Sequence, residues 1–246
     1  SFRGVTYWPG TAAHPPRIFF TSLWTLVALN ADTGERDLTF GNQGAVELRI
    51  PYAGVPAVYN DTLLLGSNAY GPGGEHIAPH LNQPRGGGEP ANPFPRAIDA
   101  ETGDLLWEFH TIPQETDFGN DTWAGNSWRN RIGNNVWAFT LTIDEARGLV
   151  YMPVSGPGAN FYGGDRPGDN LFGNSTVAID IRTGELVWTF ETVPGPDDFG
   201  YDSWAGDSAR DRSGVNVWGY MSLDTERGIL YMPLGAPNDD RVGVDR

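Results

Sequence analysis

The apolar residues of this chain fall in short runs rather than in long periodic stretches. Residues 58–65, 149–152 and 229–232 are such runs, punctuated by turn formers like Asn60-Asp61 and Arg147-Gly148. Runs of that length between turns predict buried β-strands. Long helical periodicity is hard to find. The pattern also repeats. Ala28-Leu29-Asn30-Ala31-Asp32-Thr33-Gly34, Ala97-Ile98-Asp99-Ala100-Glu101-Thr102-Gly103 and Ala178-Ile179-Asp180-Ile181-Arg182-Thr183-Gly184 each predict a strand, a tight turn at Thr-Gly and a second strand. Glycine supplies the positive φ that such a turn needs. Trp107 and Trp188 follow the glycine by four residues in copies two and three, where each is expected to point back onto a neighbouring element. Leu38 stands there in copy one.

The repeated glycines are 69 and 81 residues apart, too far for a small solenoid. Such spacings suit four-stranded propeller blades with inserted loops. The expected fold class is all-β: a β-propeller of four-stranded antiparallel blades, one partial domain over 1–246. Its blade-like repeats lie around 18–66, 94–153 and 174–233. Three or four blades are all the chain can hold, so it reads as a segment of a longer protein. A second duplication is closer. Trp107, Asp117-Phe118-Gly119, Asp121-Thr122-Trp123-Ala124-Gly125 and Asn135-Val136-Trp137 return 81 residues later. The later copy is Trp188, Asp198-Phe199-Gly200, Asp202-Ser203-Trp204-Ala205-Gly206 and Asn216-Val217-Trp218.

Composition narrows the function classes. Hydrophobic residues make up 39%, enough for a packed core, and 33 Gly with 19 Pro suit many turns. The 9 Trp must pack between layers or line a site. A net charge of −15 argues against nucleic acid and anionic membrane surfaces as partners. No apolar run is long enough to span a membrane. Cysteine is absent, which excludes disulfides, thiolate metal sites and cysteine nucleophiles within these residues. The Gly- and Pro-rich loop over 70–95 carries His76, His80 and Arg85 and reads as either functional or mobile.

Several strings in this order resemble the PQQ-dependent (quinoprotein) alcohol and glucose dehydrogenases. They are Arg3-Gly4-Val5-Thr6-Tyr7-Trp8-Pro9-Gly10, Leu64-Leu65-Gly66-Ser67, the stretch over 122–128 with Gly133-Asn134-Asn135-Val136-Trp137, and the stretch over 162–171. The resemblance covers roughly residues 1–193. It implies an eight-bladed propeller, usually periplasmic, holding pyrroloquinoline quinone (PQQ) and a Ca²⁺ or Mg²⁺ ion near its axis. It also implies oxidation of a small alcohol or sugar, with a quinone or cytochrome as electron acceptor.

The resemblance carries roles to particular residues. Arg3 is expected to clamp a cofactor carboxylate, as a guanidinium fork suits a planar anion. Trp137 is expected to form the flat floor under the quinone. Trp218 is its equivalent in the second copy; both cannot serve one cofactor, and Trp137 has the fuller context. Ser67 and Asn68 are expected cofactor contacts, with Asn68 and Asn160 as the amide oxygens for a hard cation. Asp165, Arg166, Asp169 and Asn170 read instead as a structured turn.

The pattern breaks after Thr192-Val193. The family continues there with paired His and a Trp-Asp that supply its catalytic Asp, and this chain continues Pro194-Gly195-Pro196-Asp197-Asp198. Asp198 and Asp202 fall near the place of the base by count, yet they pair with Asp117 and Asp121 in the internal repeat, which favours turn roles. Two alternatives to the dehydrogenase stay open. One is a non-catalytic propeller scaffold or protein-binding module. The other is a carbohydrate-binding propeller with exposed Trp platforms.

Overall fold

The structure is a computed structural model that describes residues 4–22, 24–48, 52, 54–67, 94–129, 131, 133–137, 140–157, 164–206, 208–211 and 214–237. Their strands form three four-stranded antiparallel sheets and one two-stranded sheet. The first sheet is β1 (Thr6–Trp8), β2 (Arg17–Ser22), β3 (Thr25–Asn30) and β4 (Ala45–Glu47), paired in chain order. The second is β5 (Ala57–Tyr59), β6 (Thr62–Leu65), β7 (Arg96–Asp99) and β8 (Leu105–Glu108). The third is β9 (Thr142–Asp144), β10 (Leu149–Val154), β11 (Ser175–Asp180) and β12 (Leu186–Glu191). The last pair is β13 (Ser222–Asp224) and β14 (Ile229–Tyr231). This up-and-down order, repeated sheet by sheet, is that of successive propeller blades, and the expected all-β propeller class holds.

The sheets divide the chain differently from the sequence repeat. The segments 94–153 and 174–233 each hold the last two strands of one sheet and the first two of the next. The reason is that the Thr-Gly motif marks the turn between a blade's third and fourth strands. Blade limits instead follow strand pairing between residues far apart in sequence.

Those Thr-Gly turns are built alike three times. The side-chain oxygen of Asn30, Asp99 or Asp180 accepts two backbone N–H groups, from Asp32 and Thr33, Glu101 and Thr102, or Arg182 and Thr183. The glycines close the turns at φ 73°, 84° and 76°, a region that costs other residues about 1–2 kcal/mol. Each turn thus folds from its own few residues.

Neighbouring sheets lock through these turns. Trp107 on β8 donates its indole N–H to the Ile181 carbonyl (2.8 Å) in the third sheet's turn, as the spacing after Gly103 predicts. Its ring lies over Gly184, where a Cβ would come within 2.6 Å. Between the first two sheets the buried Arg17 does this work. Its guanidinium reaches the carbonyls of Ala100 (2.5 Å) and Glu101 (2.7 Å) and pairs with Asp37 (2.7 Å). Two apolar cores follow. One joins the first and second sheets around Trp8, Phe19, Leu26, Leu63 and Ile98. The other joins the second and third around Leu64, Trp107, Val150, Met152 and Val177. β6, β10 and β11 are apolar along most of their length because a neighbouring sheet covers both faces.

Candidate cofactor-binding site

The segment over 133–137 runs between two sheets rather than within one. Val136 bridges Ser67 at the end of β6 and Val154 at the end of β10, while Gly133 bridges Pro157. The Ser67 N–H donates to the Val136 carbonyl (2.8 Å), and the Val136 N–H donates to the Ser67 hydroxyl oxygen (3.1 Å). On the other side the Asn135 N–H donates to Ser155 Oγ (2.8 Å), and the Ser155 N–H to the Asn135 carbonyl (2.9 Å). Asn134 takes a left-handed φ of 47° and donates its amide to the Thr111 carbonyl (2.5 Å). Gly66 makes the fit possible, because a Cβ there would stand 2.4 Å from the Val136 carbonyl oxygen.

This lacing delivers the Trp137 side chain. The indole is half-buried, and among the described residues its buried N–H has no partner. Its ring meets that of Trp218, with centroids 5.4 Å apart and planes at 39°. Trp218 arrives by the same construction one copy later. Val217 bridges Leu234, and the Gly235 N–H donates to the Asn216 carbonyl (2.8 Å).

The expected site residues are placed unevenly. Ser67 is fully buried and anchors the segment that carries Trp137. Arg3, Asn68 and Asn160 lie outside the described residues, as do His76, His80 and Arg85. Asp198 is exposed, and its Oδ2 accepts the Gly195 N–H (2.8 Å), just as Asp117 Oδ2 accepts the Gln114 N–H (2.7 Å). Asp202 is exposed in the first turn of a short 3₁₀ helix, Tyr201–Ser203, in the place that Asp121 holds in the first copy. Asp165 pairs with Arg131 (2.8 Å) and Arg166 with Asn170 (2.7 Å). Among the described residues no three His, Cys, Asp or Glu side chains are grouped to hold a metal ion. Sequence reasoning did not find Gly66, Ser155 or the contact between Trp137 and Trp218. Only the repeat offset signalled the last of these.

Comparison with known proteins decides the family. The model of the glucose/ethanol/alcohol dehydrogenase β-propeller domain matches residues 1–205 and, overlapping, 180–246. The chain belongs to this PQQ-dependent dehydrogenase family. It is 35% identical over 177 residues to quinoprotein glucose dehydrogenase A of Acinetobacter calcoaceticus, covering 68% of this chain and 20% of that protein. It is 26% identical to subunit 1 of the methanol dehydrogenase [cytochrome c] of Methylorubrum extorquens, over 98% of this chain and 36% of the relative. This family member therefore spans about a fifth to about a third of those relatives' length. Among solved structures it resembles a quinohemoprotein alcohol dehydrogenase of Pseudomonas putida, with a TM-score of 0.59 at 25% identity over 78% of this chain and 26% of that one. A europium-containing methanol dehydrogenase shares the fold, with a TM-score of 0.58 at 22% identity over 93% of this chain and 40% of that one. No helix among the described residues is long and apolar enough to cross a membrane.

Proposed function

We propose that the protein serves the PQQ- and divalent-metal-dependent oxidation of an alcohol or sugar hydroxyl, and that the described residues contribute the floor of the cofactor site. The observation that carries this reading is the laced segment over 133–137, which is tied to the ends of two neighbouring sheets and carries the Trp137 indole. A half-buried indole with an unpartnered N–H suits a planar, oxygen-rich ring, so the residues present fit PQQ. When bound, that group supplies acceptance of two electrons from the substrate. In this chain Trp137 would support the ring and keep water from one face. Ser67 and Ser155 hold its segment in register. Arg3 would clamp a carboxylate of the cofactor, and Asn68 and Asn160 would offer oxygens to a Ca²⁺ or Mg²⁺ ion. The electron acceptor is a quinone or cytochrome, and the compartment is the periplasm.

Asp198 and Asp202 are the candidates for the base, and both sit at exposed turn positions. A committed turn carboxylate favours a second reading, in which this propeller binds without catalysing. One experiment separates the two. PQQ with Ca²⁺ is added to the purified chain while quinone absorbance and dye-linked oxidation of ethanol and glucose are followed. The dehydrogenase reading expects a shifted quinone spectrum. Turnover that Asp198→Asn or Asp202→Asn abolishes would identify the base. An unchanged quinone spectrum would sink the cofactor reading and leave the binding propeller.

A further inference from the structure

The segment that carries Trp137 is held unequally on its two sides. Toward the third sheet every residue from Gly133 to Val136 is tied. Gly133 bridges Pro157, the Asn134 N–H donates to the Gly156 carbonyl (3.2 Å), Asn135 and Ser155 exchange hydrogen bonds, and Val136 bridges Val154. Toward the second sheet the ties among the described residues are fewer. One is the pair of hydrogen bonds between Val136 and Ser67. The other is the Asn134 side chain, whose amide donates to the Thr111 carbonyl (2.5 Å) just past the end of β8. A segment pinned to that sheet at Val136 alone could swivel about the pin. The second pin, at Asn134, removes the swivel and with it the freedom of the ring that follows at Trp137. Asn134 and Thr111 are both fully buried, so water does not compete for this bond. The backbone of Asn134 is left-handed (φ 47°), a conformation that Asn adopts more readily than most residues. The second copy ties itself to its preceding sheet differently. Val215 stands at the place of Asn134 and has no amide to give, and there the Gly214 N–H donates to Asn174 Oδ1 (3.1 Å). The Asn134 strut therefore belongs to the first copy.

We infer that Asn134 is a positioning residue for cofactor binding: its side-chain amide fixes the plane of the Trp137 indole against the end of the second sheet. The inference rests on the reading that Trp137 supports the quinone ring, whereas the strut itself stands on the hydrogen bonds alone. A planar ligand gains most from a ring whose plane is set before the ligand arrives, since any swivel left in the ring is lost on binding. Asn134 is itself fully buried and acts through Trp137.

The test labels the full chain with fluorotryptophan and assigns the Trp137 fluorine resonance as the one lost in Trp137→Phe. Asn134→Gly keeps the left-handed backbone and removes the strut. Asn134→Asp keeps the shape and, once ionised, has no proton to give. Each should shift or broaden the Trp137 resonance, and each should weaken PQQ binding, followed by the quinone spectrum, about fivefold (about 1 kcal/mol, the scale of one neutral hydrogen bond). Either variant suffices if the other does not fold. Thr21→Val is the control. It removes another buried bond to a carbonyl, from the Thr21 hydroxyl to Gly54 (2.7 Å), in the first sheet. It should lower the urea midpoint and leave both the Trp137 resonance and the PQQ affinity unchanged. A Trp137 resonance that stayed as in the wild type when the strut was removed would overturn the strut. A changed resonance with wild-type PQQ affinity would overturn the positioning role and leave Asn134 a structural residue. Absence of PQQ binding by the wild type would overturn the positioning role together with the cofactor reading, and the Trp137 resonance distinguishes that outcome from failure of the strut.

Discussion

Gly184 and Gly34 occupy the same turn position with nearly the same backbone, φ 76° and 73°. Their surroundings differ. A Cβ at Gly34 meets nothing within 4 Å, and one at Gly184 would come within 2.6 Å of Trp107. Gly34→Ala should therefore cost only the left-handed strain, about 1 kcal/mol. Gly184→Ala should add overpacking against a pinned indole, for a total of about 3 kcal/mol. Urea unfolding of the two variants checks this, and equal losses would show that Trp107 does not lock the sheets. A second residue-level contrast also comes from the repeat. His110 Nδ1 lies 2.6 Å from Asp117 Oδ2, and the equivalent pair one copy later is Glu191 and Asp198, two acids. Desolvation, then repulsion from Asp169 and Asp198, pushes the Glu191 carboxyl above its ordinary value. A raised folded value means that Glu191 favours the fold while protonated and loses that contribution as pH rises through it. Glu191→His should therefore stabilise the chain by about 0.5 kcal/mol near neutrality, a surface-pair magnitude. Thermal unfolding across pH tests the sign: the gain should grow on going from mildly alkaline to mildly acidic solution, as the new imidazole takes up its proton beside Asp198, and should be lost in strong acid, where the carboxyls are protonated.

Elements in this chain are legible to the extent that they close locally. Asp99 and Asp180 cap their own turns within three residues, so those turns could be read from the sequence. Residues 133–137 could not be placed that way, because their partners are Ser67 and Ser155, one on each of two sheets. The β9–β10 turn shows how much such a local unit holds. Asp144, with no side-chain exposure, takes hydrogen bonds from the Arg147 backbone (3.1 Å) and guanidinium (2.8 Å) and from the Tyr151 hydroxyl (3.3 Å). Burial pulls its carboxyl upward, but Arg147 and Tyr151 outweigh that and hold it below its ordinary value. A lowered folded value contributes stability that is present above the ordinary carboxylate range and is lost as pH falls through the folded value. Asp144→Asn should cost about 2 kcal/mol at neutral pH, the scale of a charged hydrogen bond to a buried group. Its deficit against the wild type should close in strong acid. The repeat's own control is Asp224, which makes the same pair with Arg227 (2.7 Å) at a more exposed site. Asp224→Asn should lose less, and denaturant midpoints across pH would expose any inversion of that order.

At the scale of the molecule the charge is unbalanced, with 31 acids against 16 bases. Two opposing effects of salt follow. Screening relieves repulsion among the acids, which raises stability. It also weakens the ion pairs, which lowers it. The described pairs decide the sum. Arg129–Glu115, Arg182–Asp180 and Arg227–Asp224 have well-exposed guanidinium groups, and exposed pairs contribute roughly 0–1 kcal/mol each. Arg17–Asp37, with 0% and 8% exposure, lies where mobile ions do not reach. The repulsion, by contrast, is spread over the whole surface and acts across distances comparable to the screening length, about 10 Å at 0.1 M salt. The melting temperature should therefore rise as sodium chloride is increased from about 0.02 M to about 0.5 M, with most of the gain in the first few steps. Potassium chloride should act like sodium chloride, since screening depends on ionic strength and not on the identity of the cation. A melting temperature that fell with either salt would mean that the exposed ion pairs outweigh the net charge. A gain that appeared with calcium chloride far below the concentrations where sodium acts would mean that specific cation binding, rather than screening, holds the sheets together.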